Sequence, residues 1–182
     1  MSRESVLTCG SYTEEPDSTE ALLSIINRNH WDVQQEALGS MLHPRPEVIG
    51  SGELKLDFLL SPKRVLLEHG WRWGHVGIEC KRSGKKIGPV IAQAMDYTRA
   101  VWGTPNGFLV MTRFVFVWPC EAPKNELASL MANHRVGSAQ PCGRDLDALM
   151  LSFNGRIAYA DNGSSPPRIA TDLPGGSKQG SR

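Results

Sequence analysis

With 182 residues the chain is long enough for one domain with a buried core. Its 40% apolar content excludes a chain too polar to fold, and its formal net charge of +1 excludes a strongly cationic nucleic-acid wrapper. Any nucleic-acid contact must therefore rest on local charge. No apolar run approaches the ~20 residues that cross a bilayer, and residues 1–10 lack the basic-then-apolar order of a secretory signal. An intracellular, soluble protein is the expectation. Cys9, Cys80, Cys120 and Cys142 form no CxxC pair and no zinc-finger spacing, and read as reduced structural thiols.

Residues 1–16 read as a flexible leader. Asp17 or Ser18 caps a helix running to about Asn29, in which Ala21, Leu22, Ile25 and Ile26 recur with helical spacing and Glu20 occupies the first turn. Residues 31–38 alternate weakly and predict a first strand. The stretch 39–52, with two prolines and three glycines, predicts a loop. Residues 53–60 predict a second strand, with Leu54, Leu56, Phe58 and Leu60 on one face and Lys55, Asp57 and Leu59 on the other. Residues 64–68 either extend the sheet or bridge to the next turn. A third strand is predicted over 75–82, with Val76, Ile78 and Cys80 toward the core and Gly77, Glu79 and Lys81 facing away.

Gly88 and Pro89 open a helix predicted to reach Trp102, because proline is tolerated at the first helical position. Its apolar stripe is Ile87, Val90, Ile91, Ala94, Thr98, Val101 and Trp102. Residues 108–111 and 114–118 predict two strands or one bent strand, rich in β-branched and aromatic side chains. Residues 125–134 and 146–153 have helical character, and 156–160 a late strand. From Asn162 onward the Gly/Ser/Pro-rich composition predicts a disordered tail over 162–182, leaving 17–161 as the folded domain. The expected class is α/β, a central mixed sheet flanked by helices in the order α-β-β-β-α-β.

Three charged positions interrupt two apolar strands. Asp57 lies within LKLDFLL, and Glu79 and Lys81 lie within VGIECKR. Period-two alternation puts Glu79 and Lys81 on one face with Cys80 opposite. If the two strands are neighbours, Asp57 stands beside Glu79. Two carboxylates and the backbone carbonyl of Cys80 then offer the all-oxygen set that a hard cation such as Mg²⁺ prefers, with Mn²⁺ as a substitute. A cation there lowers the pKa of bound water and neutralises phosphate charge, and Lys81 stabilises charge developing in the transition state.

Asp57, twenty-one intervening residues and then Glu79-Cys80-Lys81 resemble the D…ExK signature of the PD-(D/E)xK nuclease superfamily. Gln93 and Tyr97, four apart on one helix face, are similar to the QxxxY motif of its RecB-like and lambda-exonuclease-like members. The resemblance spans residues 18–118 by order of elements. It implies a restriction-endonuclease-like core, Mg²⁺-dependent cleavage of DNA, and Gln93 and Tyr97 beside the catalytic centre in contact with the nucleic acid. It also implies a further acidic residue from the initial helix: Glu20, or Glu36 on the first strand. Leu56 stands where many members carry proline. The C-terminal cysteine cluster of the iron–sulfur branch is missing.

Lys81, Arg82, Lys85 and Lys86 read either as a phosphate clamp or as a solvated turn. Trp71 and Trp73 stack on unpaired bases, wedge a strand end, or pack under the hairpin. His69 and His75 read as lone histidines. The expected function is an exonuclease or recombination and repair nuclease. A structure-specific or restriction-like endonuclease and a non-catalytic nucleic-acid-binding subunit stand as alternatives. RNA stays open as the substrate, as does a homo-oligomer or membership of a larger complex.

Overall fold

The structure, a computed structural model, describes residues 14–42, 53–82, 87–121, 123, 125–163 and 165–170. In chain order the elements are α1 (Glu15–Ile25), β1 (Trp31–Met41), β2 (Glu53–Pro62), α2 (Arg64–Glu68), β3 (Val76–Cys80), α3 (Ile87–Tyr97) and β4 (Ala100–Gly103). They continue as β5 (Leu109–Met111), β6 (Phe114–Trp118), α4 (Asn125–Asn133), β7 (Val136–Cys142), β8 (Ala148–Phe153), β9 (Arg156–Asn162) and β10 (Ser165–Ile169). The strands form one sheet in the order β10-β9-β8-β7-β6-β3-β2-β1-β4-β5. The pairs β3–β6 and β6–β7 are parallel and the others antiparallel, so the sheet is mixed and the protein is of the α/β kind expected.

Both faces of the sheet centre are covered, which explains why β3 and β6 are buried at every position. One core holds Val76, Ile78 and Cys80 of β3 with Phe114, Phe116 and Trp118 of β6, under Leu22 and Ile26 at the end of α1 and Leu66 of α2. The other holds Val115 and Val117 under Val90, Ile91, Ala94 and Tyr97 of α3 and Met131 of α4. The face of β3 that carries Gly77 and Glu79 thus looks into a second core, not into solvent.

Strict alternation fails in β2. Leu56 packs with Leu59, three residues on, while Phe58 and Leu60 belong to the opposite core. The same break occurs in β1, where Trp31 and Val33 lie on one side and Ala37 on the other. The pairings Gln35↔Phe58 and Ala37↔Leu56 bracket Glu36 and Asp57, so both strands change face at one level. Glu36 absorbs the change with φ 50°, an uncommon value for a side chain with a Cβ. The β2–β3 ladder ends at Phe58↔Ile78, so Asp57 lies where the two strands part.

Several expectations are corrected. Residues 64–68 are helical, with Leu66 buried. The α3 helix stops at Tyr97, and Val101 and Trp102 belong to β4, where the Trp102 ring meets Tyr97 edge-on at 5.4 Å. Residues 148–153 are strand, not helix, because β7 and β9 pair with them on both sides. The expected 162–182 tail begins too early: β10 pairs with β9, and Ile169 and Ala170 pack against the core. The helix begins at Glu15 with Pro16 in its first turn, inside the expected leader. Residues 171–182 and 1–13 lie outside the described residues.

Candidate active site

The end of β3 brings the expected pair together. The Cys80 backbone N–H donates to Asp57 Oδ2 at 2.7 Å, so the strand carrying Glu79 holds the Asp57 carboxylate directly. The Asp57 and Glu79 carboxyls are close enough to hydrogen-bond to each other when one is protonated. Lys81 Nζ donates to Glu79 Oε1, and the Lys81 backbone N–H donates to Trp118 O at 2.7 Å, which fixes the chain leaving β3 against β6. Glu79 Oε2 is buried and has no hydrogen-bond partner among the described residues.

Electrostatics follow from this burial. Glu79 is 3% exposed. Desolvation, with the Asp57 charge second, pushes its carboxyl up to about 7, against the pull of Lys81. Burial also raises Asp57, opposed by the Cys80 amide and by Lys81. The site is thus short of positive charge. An orphaned carboxylate oxygen beside a second carboxylate suits a proton or a hard cation. Among the described residues no three His, Cys, Asp or Glu side chains converge, so such a cation would complete its shell with backbone or water oxygens. The residues present fit Mg²⁺ on those terms, with Asp57 and Glu79 as its side-chain ligands and the Cys80 peptide beside them.

The Gln93–Tyr97 pair is formed: Gln93 Nε2 donates to the Tyr97 hydroxyl at 2.7 Å. Tyr97 is buried, and its hydroxyl is raised by burial first and then by the charges of Glu79 and Asp57, which places the pair within electrostatic reach of the carboxylates. On the other side, α1 docks through Ser18. Its hydroxyl donates to Lys81 O at 3.3 Å, and Trp118 Nε1 donates to Ser18 O at 2.9 Å.

Neither expected extra acid reaches the pair. Glu20 is exposed, two residues and so roughly 200° round the helix from Ser18. Glu36 is paired with Lys55 at 2.6 Å on an exposed surface. The acid whose charge raises Asp57 is Glu15, three residues before Ser18 on the docked side of α1. Pro16 was the sequence signal for it, since proline in a first turn moves the helix start upstream of Asp17.

The stacking reading of Trp71 and Trp73 is overturned. Trp71 is fully buried, edge-on to Trp31 at 5.1 Å with Nε1 donating to Gly74 O, and Trp73 is 6% exposed against Phe114. Both apolar rings are more stable in the core than in water. Arg82 is exposed beyond β3, while Lys85 and Lys86 lie outside the described residues. Among the described residues Cys80, Cys120 and Cys142 form no disulfide, and burial raises Cys80 strongly. Comparison with protein-family models, curated proteins and solved structures returns no match to this chain.

Proposed function

We propose that the chain is a divalent-metal-dependent phosphodiesterase acting on DNA, built on a restriction-endonuclease-like core of the PD-(D/E)xK kind. One observation carries the reading: a buried carboxylate, Glu79, and a half-buried one, Asp57, lie side by side on neighbouring strands, the buried one with an unpartnered oxygen, beside a lysine two residues along. Purely structural ion pairs rarely leave a buried carboxylate oxygen without a donor. A bound Mg²⁺ supplies a nucleophilic water near neutral pH and neutralises charge on the scissile phosphate.

The chain's own residues do the remaining work. Asp57 is oriented by the Cys80 amide before any ligand arrives, so little reorganisation is needed. Lys81 is held on Glu79 and presents a positive charge where negative charge develops on phosphate. Tyr97 and Gln93 offer hydrogen-bonding groups beside the pair for the nucleic-acid backbone. The test is a panel of Mg²⁺, Mn²⁺ and EDTA against linear, covalently closed, single-stranded and branched DNA and against RNA. Mg²⁺-dependent cleavage that EDTA and Lys81→Ala abolish supports the reading. Cleavage that survives Asp57→Ala and Glu79→Ala together overturns it. Salt-sensitive DNA binding without cleavage under any ion points instead to a non-catalytic binding subunit.

A further inference from the structure

Strands β6 and β7 run parallel, and each is preceded by an arginine, Arg113 and Arg135. The Val115 N–H donates to Arg135 O at 3.1 Å, which sets the two strand starts side by side. A cleft of about 730 Å³ opens there. Ser129 and Asn133 of α4 and Asn154 of the β8–β9 turn line it beside the two arginines, and Phe114 and Phe153 form its floor. The pairings Val76↔Phe114 and Cys80↔Trp118 place this cleft at the opposite end of the strands from Asp57 and Glu79, roughly 13 Å away by strand rise.

Three features mark the cleft as a ligand site. First, both guanidiniums are exposed, and among the described residues neither has a carboxylate or side-chain hydrogen-bond partner. No acidic residue lines the cleft. Second, Arg113 Cζ lies over the Trp73 ring, 5.3 Å from its centroid, a cation–π contact that anchors the guanidinium at the cleft. Third, the volume falls in the range of small-molecule sites, roughly 300–1,000 Å³. Two unpaired cations facing one concavity repel each other, and a doubly charged anion removes that cost. The C-terminus of α4 brings only about half a negative charge to the same place. Two of its carbonyls already accept from the His134 and Arg135 N–H groups. The amides of Asn133 and Asn154 and the Ser129 hydroxyl both donate and accept, as sugar and base edges require.

We infer that this cleft binds a phosphate monoester of mononucleotide size, with its phosphate between Arg113 and Arg135. The inference rests on none of the residues of the proposed catalytic centre.

Isothermal titration of the full chain in EDTA tests it, with deoxyadenosine 5′-monophosphate, inorganic phosphate and deoxyadenosine as probes. The nucleotide is expected to bind at one site, phosphate more weakly and the uncharged nucleoside not at all. Arg113→Gln and Arg135→Asn should each weaken nucleotide binding by about tenfold or more, the loss expected of a charge-assisted contact. Asparagine suits position 135 because the backbone there has φ 60°. Unchanged melting temperatures establish that both variants are folded. Glu79→Gln should bind the nucleotide as the parent does. The inference fails if the nucleotide gives no saturable heat, or if both arginine variants bind it undiminished. It also fails if the arginine variants weaken a single-stranded oligonucleotide while the mononucleotide never binds.

Discussion

Asp57 Oδ2 accepts the Cys80 backbone N–H at 2.7 Å, so the first carboxylate of the site is tied to the strand that carries the second. This bond replaces a rung of the β2–β3 ladder, which ends one residue earlier at Phe58↔Ile78. The parting of the strands makes room for a side chain where a backbone pair would otherwise sit. It also commits Asp57 to face Glu79, whatever the length of the intervening segment.

Removing the lysine should separate catalysis from folding. Lys81→Ala deletes the cation that holds Glu79 Oε1. If Lys81 stabilises transition-state charge, the rate of DNA cleavage under saturating Mg²⁺ should fall by roughly 10²–10³. Metal affinity should fall far less, because Asp57 and Glu79 remain. Single-turnover cleavage alongside Mn²⁺ titration reads both. Equal losses in both quantities would place Lys81 in metal binding alone.

The carboxylate pair should make stability depend on pH and on divalent metal together. The Glu79 carboxyl sits at about 7 in the folded protein against 4.5 ordinarily. A raised acid stabilises the fold fully below 4.5, and that contribution is lost as pH rises through 7. The size is on the order of 3 kcal/mol. His30 and His75 are lowered by burial, so they act oppositely, costing stability as pH falls below 6.5. The difference between the parent and Glu79→Gln isolates the carboxyl. In EDTA the parent's melting temperature should fall relative to Glu79→Gln between 4.5 and 7. Mg²⁺ should restore it near pH 8 but not near pH 5, since Glu79 then holds a proton and the pair attracts a cation less.

Much of this site is legible in the sequence because it lies on strands whose burial is one-sided or total. Charges at 57, 79 and 81 inside apolar runs stand out whatever the fold. What alternation cannot show is the change of face at Glu36 and Asp57, since a backbone at φ 50° leaves no mark in a pattern of apolar and polar letters. Strand β8, ALMLSF, is written in residues that favour helix, and pairing on both edges overrides that preference. Strand β7 contains Pro141 and Gly137, both poor strand residues. Gly137 is required because a Cβ there would lie 2.5 Å from the Phe116 ring. The tryptophans stayed ambiguous for a related reason: an aromatic beside an arginine looks the same in sequence whether it faces solvent or core.

The docked face of α1 predicts which acid tunes the site. Glu15 lies on the Ser18 side of the helix and its charge reaches Asp57, while Glu20 points away into solvent. Glu15→Gln should weaken Mg²⁺ or Mn²⁺ binding by a fewfold, the scale of one screened charge near a partly buried site. Glu20→Gln should leave it unchanged. Metal titrations of the two variants, followed by thermal stabilisation, give the comparison. An effect of Glu20→Gln that exceeds that of Glu15→Gln would reverse the assignment.

Gly77 links packing to the geometry of the pair. A Cβ at this position would lie 2.8 Å from Leu56 Cδ2 and 3.2 Å from Val115 Cγ2. Val115 is β-branched and fully buried, so it cannot turn aside, and the strain falls on Leu56. Leu56 immediately precedes Asp57 and lies at the change of face in β2. Gly77→Ala should therefore cost about 1–3 kcal/mol in stability, the scale of an overpacked core. It should also lower metal affinity, because the strained Leu56 adjoins Asp57. Val115→Ala relieves the Val115 contact, so the double variant should recover part of both losses beyond additivity. Chemical denaturation and metal titration of the four proteins measure that coupling. Strictly additive losses would mean that Leu56 moves freely and that Asp57 does not depend on the packing beneath it.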